Sequence, residues 1–269
     1  RKESSAASDV YKRQVMTGLV MAQQWETILK YLNASSFNQL DPIFGKDVAF
    51  YIFTLPFWLL IKSLIWETMI VITLGVGLIY FFKRFVYVAP TGIVLLPEAR
   101  RTLSGLAGCF FLLFASEFYL QRYELLTKGN ELISGIGFSD DYGSIPILYA
   151  LVFVSLLGAA FSFSGLIRPG MKKILLSVVA LALVFFVGNV YPKILQKFVV
   201  APNELIKEEL YIERTISGTL NAYGLGETKV HGLSGSESLT AESVRKNDAT
   251  IENIRLWDQE PLLDTLGQI

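Results

Sequence analysis

Four long apolar runs dominate the chain, at residues 63–82, 102–121, 145–167 and 174–190. Each approaches the ~20 helical residues needed to cross ~30 Å of hydrocarbon. The runs therefore predict transmembrane helices at roughly 60–82, 102–122, 145–167 and 174–192. The polar positions between them alternate in sign. Residues 83–101 carry Lys83, Arg84, Arg100 and Arg101 against one acid, Glu98. Residues 122–144 carry Glu124, Glu131, Asp140 and Asp141 against Lys128, and the turn after the third run carries Arg168, Lys172 and Lys173 with no acid. Basic loops stay cytoplasmic. One topology satisfies every loop: residues 83–101 and 168–173 inside, residues 122–144 and 193–269 outside.

The flanks follow other rules. Residues 15–32 have roughly helical apolar spacing, but Gln23, Gln24, Glu26 and Lys30 interrupt it. This predicts an amphipathic helix on the outer surface rather than a span, and residues 33–45 read as a loop. Pro56 is expected to divide the long run 48–82 into an interfacial segment, 48–55, and the span proper. Trp58 and Trp66 then suit an outer aromatic belt, and Tyr80 an inner one. Pro90 and Pro97 bracket an inner loop. Ser104/Gly108, Gly105/Cys109 and Gly158/Ser162 are small-xxx-small pairs, which let helices approach closely in lipid; packing inside one bundle is preferred over an oligomer interface. Beyond Pro192, Asn203 is placed to cap a helix whose first turns hold Glu204, Glu208 and Glu209. Leu205, Ile206, Leu210, Ile212, Ile216 and Leu220 form its apolar face, and Gly224 ends it. A short helix is expected at 240–246, a strand at 251–257 and a further helix from Pro261.

Composition sharpens the class. Hydrophobic residues make up 52% of the chain and charged ones 18%, more apolar than most soluble domains. The basic residues are few and close to the spans, which excludes a nucleic-acid footprint. Cys109 is the one cysteine and lies within a span, so no intramolecular disulfide forms; it reads as a small apolar filler. His231 is the one histidine, so no zinc site of ordinary type and no cofactor are expected.

Ionisable residues inside membranes are candidates for function. Glu67 and Glu117 each lie ~6 Å inside the outer end of a span at 1.5 Å per residue, with Lys62 and Arg122 near the same level. They predict interhelical salt bridges, or, in a functional reading, an outward-facing polar pocket. Asp140 and Asp141, with Asp41 and Asp47, form a candidate outer acidic loop with oxygen ligands for a cation, although no EF-hand spacing is present. Gly232-Leu233-Ser234-Gly235-Ser236 approaches a nucleophile elbow but lacks its last glycine and its strand–turn–helix setting, and reads as a plain loop.

Several blocks resemble one family. Asp41-Pro-Ile-Phe-Gly-Lys-Asp47 followed by Phe50-Tyr-Ile-Phe-Thr-Leu-Pro-Phe57 is similar to the DP-x-FG-x-D … FY-x-F-x-LP stretch of the uncharacterised protein family UPF 0182. Arg122-Tyr-Glu-Leu-Leu126, Pro202-Asn-Glu204, Tyr211-Ile-Glu213, Ala222-Tyr-Gly224 and Asn253-Ile-Arg-Leu-Trp-Asp258 with Pro261-Leu-Leu263 follow in the family's order. Where the family reads G-x-G-Y-T-D, this chain has Gly135-Ile-Gly-Phe-Ser-Asp140. The resemblance implies a large multi-pass bacterial-type membrane protein with an exported C-terminal domain, and no established activity or catalytic residues.

The expected architecture is all-α and membrane-embedded: a four-span bundle, part of a larger one, with an outer amphipathic helix and the start of a soluble extracytoplasmic region. Residues 1–14 read as a non-native or disordered leader, 15–50 as the outer helix and loop, 51–200 as the transmembrane domain and 201–269 as the beginning of the exported domain. The chain reads as an internal fragment of a longer protein. The lipid bilayer is the expected partner, with envelope proteins or self-association beyond it. Three roles fit this frame: anchoring an exported domain in the cell envelope, transport or channel activity through a site near Glu67 and Glu117, or an envelope enzyme whose active site lies in the missing C-terminal part.

Overall fold

The computed structural model describes Gly18 and residues 22–89, 92–128, 135–167, 171–229, 231–232, 240–254, 263 and 265–267. The expected leader, residues 1–14, lies outside the described residues, as does most of 15–21. The chain forms two compact units, residues 1–222 and 223–269.

The first unit is a helical bundle. Helix α1 covers Trp25–Leu32, α2 Leu55–Phe82, α3 Pro97–Thr127, α4 Ile145–Ile167, α5 Met171–Leu195 and α6 Glu204–Ala222. Among the described residues, four helical runs are long and apolar enough to cross a membrane: Phe50–Phe82, Pro97–Thr127, Asp140–Ile167 and the run that starts at Met171. We read Met171–Leu195 as the spanning part of the last. Residues 83–96, expected as a loop, contain an antiparallel hairpin: β1, Val86–Ala89, pairs with β2, Gly92–Leu95, in the register Val86↔Leu95 to Ala89↔Gly92. The other end of the bundle, where α2 and α4 begin and α3 and α5 finish, is termed the collar.

Proline shapes the collar. Pro56 does not split the first run, because Phe50–Thr54 is a π-helical turn that leads directly into α2. The same device recurs at Asp140–Ser144 before Pro146 and at Gln196–Val200 before Pro202. A helical proline brings no N–H and its ring presses on the carbonyl four residues back. A wider turn relieves that clash, and the residue before each proline donates five residues back instead: Leu55 to Phe50 O, Ile145 to Asp140 O, Ala201 to Gln196 O. Such single π turns inside helices are uncommon and gather at functional sites.

The bundle closes on its small residues. A Cβ on Gly158 would lie 2.6 Å from Phe111 Cδ1, and one on Gly108 would lie 2.7 Å from Phe163 Cε1. Each ring thus fills the space a side chain would take on the facing helix, which locks α3 against α4. Ser104 Oγ donates to Ser162 O at 2.6 Å and sits where Gly165 has no Cβ. The small-xxx-small pairs therefore serve packing within one bundle. Helix α5 packs along α4, with Ile147 against Gly188 and Pro192 against Gly143, and also reaches α3, where Phe118 and Phe185 meet at 6.4 Å. Helix α2 joins α3 through Trp66, whose ring meets Phe110 and Phe114 at 5.6 and 5.0 Å, and through Tyr80 Oη, which donates to Thr102 Oγ1 at 2.6 Å. Trp66 thus packs between α2 and α3, whereas Trp58 is exposed.

In the second unit, Gly224 takes the left-handed conformation just past α6. Helices α7, Ala241–Lys246, and α8, Asp248–Glu252, follow. Thr240 caps α7 in a reciprocal box with Ser243, as helix-start chemistry requires. The strand expected at 251–257 is not formed at its start: Ile251 and Glu252 are helical, and 255–257 lie outside the described residues. The apolar pattern there was too short to separate the two periods.

Candidate functional site

Polar chemistry concentrates at the collar. Lys62 on α2 and Glu117 on α3 meet, Nζ to Oε1, at 2.9 Å. The Lys62 side chain is 14% exposed and that of Glu117 35%, so each charge neutralises the other at partial burial. Glu67 is exposed and makes no ion pair among the described residues. The helical rotation from 62 to 67 turns it away from the partner that Lys62 reaches.

Arg122, expected beside these acids as an ion-pair partner, is instead enclosed by aromatic rings. Its guanidinium carbon lies 3.9 Å from the ring centre of Tyr119, 4.5 Å from Tyr123, 5.0 Å from Tyr149 and 5.6 Å from Phe44. One Nη donates to Tyr123 Oη at 2.6 Å and the other to Tyr149 Oη. The residue is 8% exposed. A weakly hydrated, planar cation is suited to such stacking, and each ring contributes about 0.5–2 kcal/mol as desolvation increases. Phe44 comes from the 33–49 segment, so Arg122 ties that segment to α3 and α4. The cage was not visible in the sequence, because Tyr149 lies 27 residues away on another helix.

Two aspartates organise the same segment. Asp41 accepts hydrogen bonds from the N–H groups of Ile43, Phe44 and Lys46 and from Tyr51 Oη. Burial pushes its pKa up, but these donors outweigh burial and hold the carboxyl below the ordinary aspartate range. Asp47 accepts from Ser36 Oγ and from the N–H groups of Phe37, Asn38 and Ala49; the serine hydrogen bond leads the effects that hold it low. Asp140 accepts from Ser144 Oγ at 2.8 Å and Asp141 from Tyr211 Oη at 2.7 Å. The four aspartates considered as cation ligands are therefore committed to hydrogen bonds. Among the described residues, no three His, Cys, Asp or Glu side chains group closely enough to hold a metal.

The least expected contact joins α6 to the collar. Glu208 is 5% exposed, and its carboxylate accepts from the Phe138 N–H at 3.0 Å to Oε2 and 3.3 Å to Oε1. Gly137 allows this approach, since a Cβ there would lie 3.1 Å from Oε1. Burial raises the Glu208 pKa, and the neighbouring charges of Glu204 and Asp140 add to the rise against the Phe138 hydrogen bond. Helix α6 thus packs its Glu208–Tyr211 side on the bundle. Its apolar face is turned outward, with Leu205 80%, Ile206 76% and Ile216 54% exposed. Burying a carboxylate while exposing leucine reverses the usual amphipathic rule. The Phe138 N–H, which donates to Glu208, and the Asp141 carboxylate, which accepts from Tyr211 Oη, make the reversal possible.

A cavity of about 650 Å³ lies between α3 and α5. Phe110, Phe114, Leu181 and Phe185 supply much of its wall, and Glu117 and Gln121 are its polar groups, on the collar side.

A family model described as Uncharacterised protein family (UPF0182) matches residues 11–269. The chain is 36% identical to a UPF0182 protein of Geobacter sulfurreducens over 256 residues, covering 95% of this chain and 29% of the relative. It is 36% identical to one from Pelotomaculum thermopropionicum, covering 93% of this chain and 27% of the relative. A relative in a Nostoc species is 33% identical, with 95% of this chain and 26% of the relative covered. The chain therefore spans under a third of the length of the curated relatives it matches. No solved structure matches it.

Proposed function

The chain belongs to the uncharacterised protein family UPF0182, and we propose that it is a multi-pass protein of the cell membrane whose bundle anchors and positions an exported region in the cell envelope. The docking of α6 carries this reading. The polypeptide that leaves the last span is pinned to the collar by Glu208 and Tyr211 within 16 residues of the Leu195 end of α5 (211 − 195). Such a docked exit fixes where the polypeptide leaves the bundle, whereas a flexible linker would leave the following region free to tumble. Sidedness follows from Lys83, Arg84, Arg100, Arg101, Arg168, Lys172 and Lys173, which place the hairpin and the 168–173 turn in the cytoplasm and the collar outside. The exposed Leu205, Ile206 and Ile216 face of α6 is the surface for envelope partners or self-association.

The test uses single cysteines in a Cys109→Ala background. Thr127→Cys and Ser217→Cys, at exposed positions of α3 and α6, should react with an impermeant thiol reagent on intact cells. Met171→Cys, at the opposite end, should react only after permeabilisation. Equal labelling of all three, or the reverse order, refutes the topology.

A transport reading draws on the cavity beside Glu117. It ranks second, because the wall is chiefly aromatic and aliphatic and the acid is already neutralised by Lys62. It would require Glu117→Gln to abolish ion flux in proteoliposomes without lowering the yield of folded protein.

A further inference from the structure

We propose that the contact between α6 and the 137–141 segment is a proton-controlled latch, in which Glu208 docks α6 more firmly as the surrounding pH falls. The geometry gives three reasons. The carboxylate is nearly sealed from solvent at 5% exposure, which penalises its charged form. It meets one backbone donor, Phe138 N–H, and among the described residues no cation pairs with it. It also faces like charge, from Glu204 one turn earlier and from Asp140 on the docking segment.

The neighbouring charged groups do not cancel this. Lys207 Nζ lies 5.1 Å from the Phe138 ring centre, and Lys197, in the turn before α6, lies over Phe198. Arg214 sits 5.6 Å from the Tyr211 ring. Asp141 is held by the Tyr211 hydroxyl at 2.7 Å, which gives the latch a second contact on the same helix face. A protonated Glu208 still accepts from Phe138 N–H through its carbonyl oxygen, so protonation removes the buried charge and keeps the hydrogen bond.

The sign follows from linkage. In the docked chain, burial chiefly holds the Glu208 carboxyl above the ordinary glutamate range, and undocking would expose it to water. Docking is strongest below the undocked pKa and weakens as pH rises through the docked one. One proton changes the docking constant by at most about ten-fold per pH unit. The latch is a property of the folded chain and does not depend on which side of the membrane the collar occupies. Only the compartment whose pH it reads rests on the topology proposed above.

The experiment uses the whole chain in detergent, with spin labels at Thr127→Cys and Ser217→Cys in the Cys109→Ala background, and reads the interlabel distance distribution from pH 4 to 8. The short, docked population should grow as pH falls. Glu208→Gln, neutral and still an acceptor, should keep it at its low-pH level throughout. Glu204→Gln changes an exposed residue and removes one like charge, so it should move the midpoint to lower pH; this arm still decides the matter if Glu208→Gln does not fold. A wild-type distribution that does not change with pH overturns the latch, as does a Glu204→Gln midpoint that stays in place or a pH response that survives Glu208→Gln. Reversed thiol labelling would refute the topology and leave the latch standing.

Discussion

Gly158→Ala offers the sharpest test of how the bundle is held. The added Cβ would lie 2.6, 2.7 and 3.0 Å from Phe111 Cδ1, Cε1 and Cγ. Comfortable carbon contacts are ~3.5–4.0 Å, so the ring or the helix must shift by about 1 Å. Phe111 is 4% exposed and belongs to the cluster with Ala159 and Ile174, so a shift toward the cavity it borders would give up those contacts. Overpacking of this kind costs ~1–3 kcal/mol, against ~1 kcal/mol gained by replacing glycine in a helix. Alone, Gly158→Ala should therefore be neutral to destabilising by up to about 2 kcal/mol. Phe111→Ala alone should cost ~3–5 kcal/mol. In that background the clash is gone, and Gly158→Ala should become neutral or stabilising by up to ~1 kcal/mol. The expected coupling is the clash itself, ~1–3 kcal/mol, within the range for residues in contact. Unfolding in mixed micelles across the four proteins of the cycle measures it. Additivity within ~0.5 kcal/mol, or stabilisation by Gly158→Ala in the wild-type background, would refute the interlocking of α3 and α4.

The Lys62–Glu117 pair should behave as a unit: Lys62→Met and Glu117→Gln should each lower the melting temperature in detergent, and the double variant should recover part of the loss, because each single change strands a partly buried charge; a double variant as low as the sum of the two contradicts the pairing. The 39–49 segment should loosen in acid. The folded pKa values of Asp41 and Asp47 are depressed, so their stabilisation is complete above the ordinary aspartate value and is lost as pH falls through it and then through the folded values. Hydrogen exchange at Ile43, Phe44 and Lys46, corrected for intrinsic rates, should show protection falling in acid, less steeply in Asp41→Asn; unchanged protection down to pH 3 would contradict the hydrogen-bond assignment. The acid responses at the two collar sites therefore run in opposite directions, with α6 tightening where the 39–49 segment loosens.

The sequence by itself determined the bundle. Apolar run length measures hydrocarbon thickness, and a spanning backbone must satisfy its own hydrogen bonds, so four runs of this length leave little choice but four helices. The small-residue pairs announced close packing for the same local reason, and the Asp41–Phe57 and Arg122–Leu126 blocks announced the family. The π turns were barely legible: Pro56 alone was read as a helix disturbance, and whether the chain breaks or widens there depends on what holds both sides of it. Only the tertiary structure decided the collar. The partner of a buried charge lies on another helix, and one-dimensional spacing does not set the rotation that chooses between Lys62 and Arg122 for Glu117. Arg122 found tyrosines instead of a carboxylate, because Tyr149 and Phe44 converge on it from 27 and 78 positions away (149 − 122 and 122 − 44). On α6 the sequence marked an apolar face, but it is the Glu208–Tyr211 side that docks on the bundle. The Phe138 N–H and the Asp141 carboxylate receive Glu208 and Tyr211, and no periodicity within α6 records those partners in another segment.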